Sequence, residues 1–191
     1  MIRVGLLGTG RIGRLHAETI ASHSESTLYA VSDIDSGSAN EIAVQYGAAL
    51  KSSEEIISDP NVDAILIATS TDTHSDFIEK ASLAGKAVLC EKPVDLSLSR
   101  AKECLKKVSA ANNPIMIGFN RRFDPNFAQL KKSLDDSEIG KSELLTITSF
   151  DPAPPPVSYV KTSGGLYRDM MIHDFDLSNF IMDELPVTIS A

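Results

Sequence analysis

A chain of 191 residues, 42% hydrophobic and 23% charged with no tryptophan, has room for one well-filled core, or for one domain and part of a second. Its formal charge of −8, from 26 acids against 18 bases spread along the chain, argues against nucleic acid as a main partner, because phosphate backbones need a basic surface. The longest apolar runs, such as Ala64–Ala68, are far too short to span a bilayer.

The chain opens directly on a strand-like run and a glycine turn, with no secretory leader. Cys90 and Cys104 make neither a metal motif nor a disulfide framework. The expectation is a cytoplasmic protein with reduced, buried thiols and no metal. Short β-rich runs then alternate with longer amphipathic ones. Strands are predicted at Ile2–Leu7, Thr27–Ser32, Ala64–Ala68, Ala87–Cys90 and Ile115–Ile117. Helices are predicted at Ile12–Ser22, Ser38–Tyr46, Ser53–Ser58, His74–Ala84 and Ser97–Ala110. Runs such as "AILIA" are apolar throughout, as suits a parallel sheet covered on both faces. The fold class expected is α/β: a doubly wound parallel Rossmann sheet over residues 1–118.

The pattern changes after Gly118. A helix is predicted at Pro125–Leu134, a strand at Leu144–Phe150, and a loop or polyproline stretch at "DPAPPP", residues 151–156. A helix from "GGLYRDMMIHDF", residues 164–175, is expected to run to about Met182, with "PVTIS" starting a further strand. One helix with one or two strands cannot bury its own apolar faces. Residues 119–191 therefore read as the start of an incomplete α+β substrate domain.

The strongest local motif is Gly8-Thr9-Gly10-Arg11-Ile12-Gly13, which comes after the first strand and opens a helix. Gly8 allows the tight turn, Gly10 lets a pyrophosphate approach the backbone, and Gly13 lets helix and strand pack closely. The diphosphate would rest on the helix N-terminus, near Arg11 and Ile12. Asp33 ends the second strand twenty residues after Gly13, where a ribose-binding acid belongs. Its carboxylate would accept from a free 2′-hydroxyl and repel a 2′-phosphate, and "IDSGS" brings no base to offset that. NAD is expected over NADP.

Thr69, Ser70 and Thr71 lie beyond the end of the Ala64–Ala68 strand, where ligands of open α/β sheets bind. Thr73 either shares that role or caps the next helix. His74 either meets the cofactor or is packed at the helix start. In "CEKP", Glu91 and Lys92 end the next strand; the lysine would project into the same crevice and stabilise charge on a substrate oxygen. A cis Lys92–Pro93 bond would be one way to aim it. Asp169 and His173, spaced four apart, would be neighbours on one helical face, as an ordinary ion pair or as part of a proton-transfer site.

Taken in order, "GTGRIGRLHA", "CEKP", "GFNRRFDP" and "GGLYRDMMIHDFDL" resemble the glucose–fructose oxidoreductase / inositol dehydrogenase (Gfo/Idh/MocA) family over essentially the whole chain, most like its inositol 2-dehydrogenase branch. The resemblance implies that Lys92, Asp169 and His173 surround the alcohol carbon being oxidised. His173 would be the general base, Asp169 would hold the hydroxyl or orient the imidazole, and Lys92 would steady the alkoxide. It implies that Asn120 and Arg121 face the cofactor–substrate cleft, although a domain-joining ion pair suits Arg121 and Arg122 equally. Asp174 and Asp176 belong to the helix's polar face, with Asp176 also within reach of a polyol hydroxyl.

The substrate implied is a cyclic polyol or sugar, myo-inositol favoured; the assembly implied is a homo-oligomer, a homotetramer in the family. An aldose dehydrogenase, or a dinucleotide-binding module without turnover, would carry most of the same motifs. Two departures stand out. Ser70 replaces a proline common in relatives, and the family continues with a large open sheet for which this chain has no counterpart.

Overall fold

The computed structural model describes all residues except 152, 156, 161, 162 and 191. It divides into two compact units, Met1–Gly118 and Phe119–Ala191.

The first unit is a six-stranded parallel sheet built from β1 (Ile2–Leu7), β2 (Ser26–Ser32), β3 (Ala49–Leu50), β4 (Ala64–Ile67), β5 (Ala87–Cys90) and β6 (Ile115–Ile117), in the order β3-β2-β1-β4-β5-β6. Helices α1 (Arg11–Ser22), α2 (Ser36–Tyr46), α3 (Ser53–Ser58), α4 (His74–Leu83) and α5 (Leu98–Val108) make the crossovers. The strand order reverses between β1 and β4, which is where an open sheet of this kind leaves a crevice for a ligand.

The apolar runs are explained by burial on both faces. Along β4, Ile65 and Ile67 join one core cluster with Ile78 and Val88, while Leu66 joins the other with Leu6 and Ile20. Successive strand residues point to opposite faces, so each face needs its own apolar set. Each such side chain contributes about 1.5–3 kcal/mol on full burial. Cys90 and Cys104 are fully buried free thiols, and burial pushes the Cys90 thiol well above its usual range.

Local signals set the helix starts. The Asp35 carboxylate accepts from the amides of Gly37 and Ser38 to cap α2. Ser52 and Glu55 form a reciprocal capping box on α3, and the Ser97 hydroxyl accepts from the amide of Arg100 at the start of α5. β3, with two residues, is too short to show any period and escapes sequence reading.

In the second unit a 3₁₀ turn at Asn120–Phe123 leads into α6 (Pro125–Asp135), capped by Asp124 with proline in its first turn. Three expectations are corrected here. Leu144–Phe150 is extended, and Leu145, Ile147 and Ser149 are more buried than the residues between them, yet it pairs with no strand among the described residues. It lies along a groove with Phe127, Leu130, Leu177 and Ile181. Alternation predicts the extended backbone; a ladder also needs a partner.

"PVTIS" forms no strand either, and Val187 and Ile189 are exposed. The continuous helix to Met182 is broken into α8 (Gly165–Asp169) and α9 (Ile172–Met182). The Met171 amide donates back to the Leu166 carbonyl, and the His173 amide donates to Met170 rather than to Asp169, so the ladder restarts. A short helix, α7 (Val157–Val160), has no counterpart among the predicted elements. Of the proline-rich loop, Pro152 and Pro156 lie outside the described residues, and the rest has no regular structure.

Candidate active site

The strand registers align the carboxyl ends of the sheet. Ser32 sits opposite Leu7, Leu7 opposite Ile67, Ile67 opposite Cys90, and Cys90 opposite Ile117. The segments leaving the strands therefore emerge along one edge: Asp33 after β2, Gly8 after β1, Thr69 after β4, Glu91 and Lys92 after β5.

The β1–α1 turn has the form a pyrophosphate needs. Gly8 has φ +94°, and a Cβ there would stand 2.7 Å from the Thr69 nitrogen, so only glycine fits. A Cβ on Gly13 would collide with the Gly8 carbonyl oxygen. A Cβ on Gly10 would meet nothing within 4 Å, so the backbone there is open to an incoming group. No side chain caps α1, so its first amides remain available to an anion, and Gly10 and Arg11 are exposed with Ile12 half-buried beside them. The residues present therefore fit a dinucleotide diphosphate.

Asp33 is tied to this turn. Its Oδ2 accepts from the Thr9 amide at 2.5 Å and the Thr9 hydroxyl at 3.1 Å, and its Oδ1 accepts from the Asp35 amide at 2.9 Å. Partial burial opposes its ionisation, but these donors outweigh it and hold the carboxyl below its usual range. Around it, the Ser38 hydroxyl donates to the Thr9 carbonyl, and the Arg14 guanidinium donates to Ser38 and to Glu41 at 2.7 Å. That web fixes Asp33 relative to the glycine turn.

After β4, Thr69 and Thr71 are half-buried and Ser70 is exposed. Thr73 does not cap α4. Its hydroxyl donates to the Ser70 carbonyl at 2.8 Å and lies 2.7 Å from the Thr69 hydroxyl, so it braces the loop instead. His74 is 1% exposed, with Nδ1 2.7 Å from the Pro93 carbonyl and Nε2 3.1 Å from the Thr69 carbonyl. Both ring nitrogens face protein acceptors, so the ring is packed at the start of α4.

After β5, the Lys92–Pro93 peptide is cis and Lys92 is half-buried. The Glu91 carboxylate is 2.7 Å from His16 Nε2 on α1, and a Cβ on Gly118 would stand 3.2 Å from its Oε2. Burial raises its pKa, while His16 and the Lys92 amide more than offset this and hold it low. Glu91 thus braces α1 against the end of β5. His16 escapes sequence reading, although it stands inside the same "GRIGRLHA" stretch that carries the glycines.

In the second unit, Asn120 opens the 3₁₀ turn and is exposed. Arg121 pairs with Asp174, which also accepts from the Ser149 hydroxyl at 2.6 Å, and Arg122 grips Asp176 with both Nε and Nη2. Asp176 is 9% exposed, so it is engaged with Arg122 rather than presented to a substrate. These pairs lock α9, the helix carrying His173, to the 3₁₀ turn. Asp169 and His173 are both half-buried, Asp169 as the last residue of α8 and His173 in the first turn of α9. Among the described residues no group of His, Cys, Asp and Glu suits a metal ion, and no helix is long and apolar enough to cross a membrane.

Comparison with known proteins agrees with this geometry. The profile described as "Oxidoreductase family, NAD-binding Rossmann fold" matches residues 2–119, and the "GFO/IDH/MocA C-terminal domain" profile matches residues 127–191. The inositol 2-dehydrogenase of Rhizobium meliloti (strain 1021) is 48% identical over 190 residues, covering 100% of this chain and 58% of that protein. The myo-inositol 2-dehydrogenase of Thermotoga maritima is 44% identical, covering 96% and 55%. The scyllo-inositol dehydrogenase of Lactobacillus casei, solved with bound NAD(H) and scyllo-inositol, superposes with a TM-score of 0.81 at 29% identity over 96% of this chain and 56% of that one. The chain thus spans a little over half the length of these relatives. It belongs to the GFO/IDH/MocA oxidoreductase family, and its first unit is that family's NAD-binding Rossmann domain.

Proposed function

We propose that this chain carries the dinucleotide site and the proton-transfer residues of an NAD-dependent polyol dehydrogenase that oxidises one secondary alcohol of a cyclic polyol, myo-inositol foremost, to a ketone. The observation that supports it most is the flush carboxyl edge of the sheet, which presents the glycine turn, Asp33 and Lys92 side by side. Relatives at 48% and 44% identity carry inositol dehydrogenase names.

When bound, NAD supplies the hydride acceptor. The chain's own residues do the rest. The turn from Gly8 to Gly13 and the α1 amides hold the diphosphate, and Asp33 accepts from the ribose hydroxyls. The Lys92 ammonium donates to the reacting oxygen and stabilises negative charge as it develops there. His173 takes the hydroxyl proton on an imidazole nitrogen, a step that positioned bases accelerate by about 10²–10⁴-fold. Asp169 holds the hydroxyl or orients the imidazole.

The test is NADH formation by the assembled enzyme on myo-inositol, scyllo-inositol and glucose, beside its Lys92→Ala and His173→Ala variants. Each variant should lose about 10²-fold or more in kcat while NAD affinity stays nearly constant. Wild-type turnover in either variant would remove the mechanism. Glucose preferred over the inositols would favour an aldose dehydrogenase, and NAD binding with no turnover on any polyol would leave a silent binding module.

A further inference from the structure

His74 is the first residue of α4 and one of the most buried polar side chains described, at 1% exposure. Its Nδ1 lies 2.7 Å from the Pro93 carbonyl oxygen and its Nε2 3.1 Å from the Thr69 carbonyl oxygen. Carbonyls only accept, so the ring N–H is what holds this pocket, and a ring without donors would leave both oxygens buried and unanswered.

The two carbonyls belong to adjacent strand ends, since β4 pairs with β5. Thr69 begins the loop after β4, and Pro93 directly follows Lys92. Beside it the Asp95 carboxylate accepts from the Ser75 hydroxyl at 2.7 Å and the Ser97 amide at 2.8 Å, which ties the start of α4 to the segment that follows Pro93.

We propose that His74 is a positioning residue: a buried imidazole, braced between the Thr69 and Pro93 carbonyls, that fixes at once the loop beside the dinucleotide and the backbone that presents Lys92. The consequence for catalysis rests on the role given to Lys92 above; the clamp itself does not.

Backbone amide NMR of the uniformly ¹⁵N-labelled chain tests it. His74→Phe keeps a ring without donors, and His74→Gln keeps amide donors. The backbone amide resonances of Thr69, Ser70 and Lys92 should move in His74→Phe and return part of the way in His74→Gln. If the phenylalanine variant does not fold, His74→Asn, whose shorter amide cannot span both carbonyls, reads the same resonances, and leaving Thr69 and Lys92 both unmoved would overturn the clamp.

In the assembled enzyme, kcat should fall about tenfold or more in His74→Phe and recover in part in His74→Gln. Unchanged resonances and unchanged kcat in His74→Phe would end the positioning role. Moved resonances with unchanged kcat in His74→Phe would instead count against the function of Lys92 and leave the clamp standing.

Discussion

Gly13 has its side-chain position facing the carbonyl of Gly8, with no flexible neighbour to give way. Gly13→Ala should therefore destabilise the chain by about 1–3 kcal/mol, as overpacked sites do, and weaken NAD binding because the turn must open. A denaturant titration that returns the wild-type midpoint would refute that reading. The glycines are legible in the sequence because a fixed spacing after an apolar strand leaves few other uses for them. Asp33 is legible for the same reason, but its three bonds to Thr9 and Asp35 are not. Spacing says where an acid lies along the chain, and only the fold says what donates to it. The His16–Glu91 contact, 75 residues apart in sequence, is hidden for that reason too.

Strands that are buried on both faces write themselves plainly, and β1 and β5 have the bounds that their apolar runs predict, as does the edge strand β6 with Met116 exposed. Sequence reading fails where an element depends on something outside itself. Leu144–Phe150 alternates like a strand but has no described partner, and the α8–α9 break hinges on a few amide bonds that "RDMMIHD" does not announce.

Two predictions belong at this scale. Asp63, just before β4, accepts from the Arg3 side chain and amide on β1, which holds its carboxyl down to about 2. A lowered folded-state value means stability that is present above the usual carboxylate range, near pH 4, and is lost as pH falls toward 2. Urea midpoints measured from pH 6 to pH 2.5 should fall less steeply for Asp63→Asn than for the wild type. In the second unit, Arg122→Ala strips a largely buried Asp176 of its fork. The cost should be about 1–3 kcal/mol, kept low because Arg122 is itself 42% exposed, and it should be seen as a lower denaturation midpoint.

Across the whole chain, alternation of strands and helices announces the doubly wound sheet, and the resemblance carried by four separate motifs announces the family. Both are readable because they repeat one message at many positions. The order β3-β2-β1-β4-β5-β6 and its flush carboxyl edge are beyond periodicity, since pairing between strands leaves no mark on either strand alone. That edge is what brings the glycine turn, Asp33 and Lys92 to one side of the sheet.

The most direct check is a calorimetric titration of the chain with NAD and with NADP. NAD should bind, with NADP weaker by about tenfold or more, because Asp33 is held ionised where a 2′-phosphate would have to sit. Equal or tighter binding of NADP, or no binding of either, would contradict the placement of the dinucleotide at this edge of the sheet.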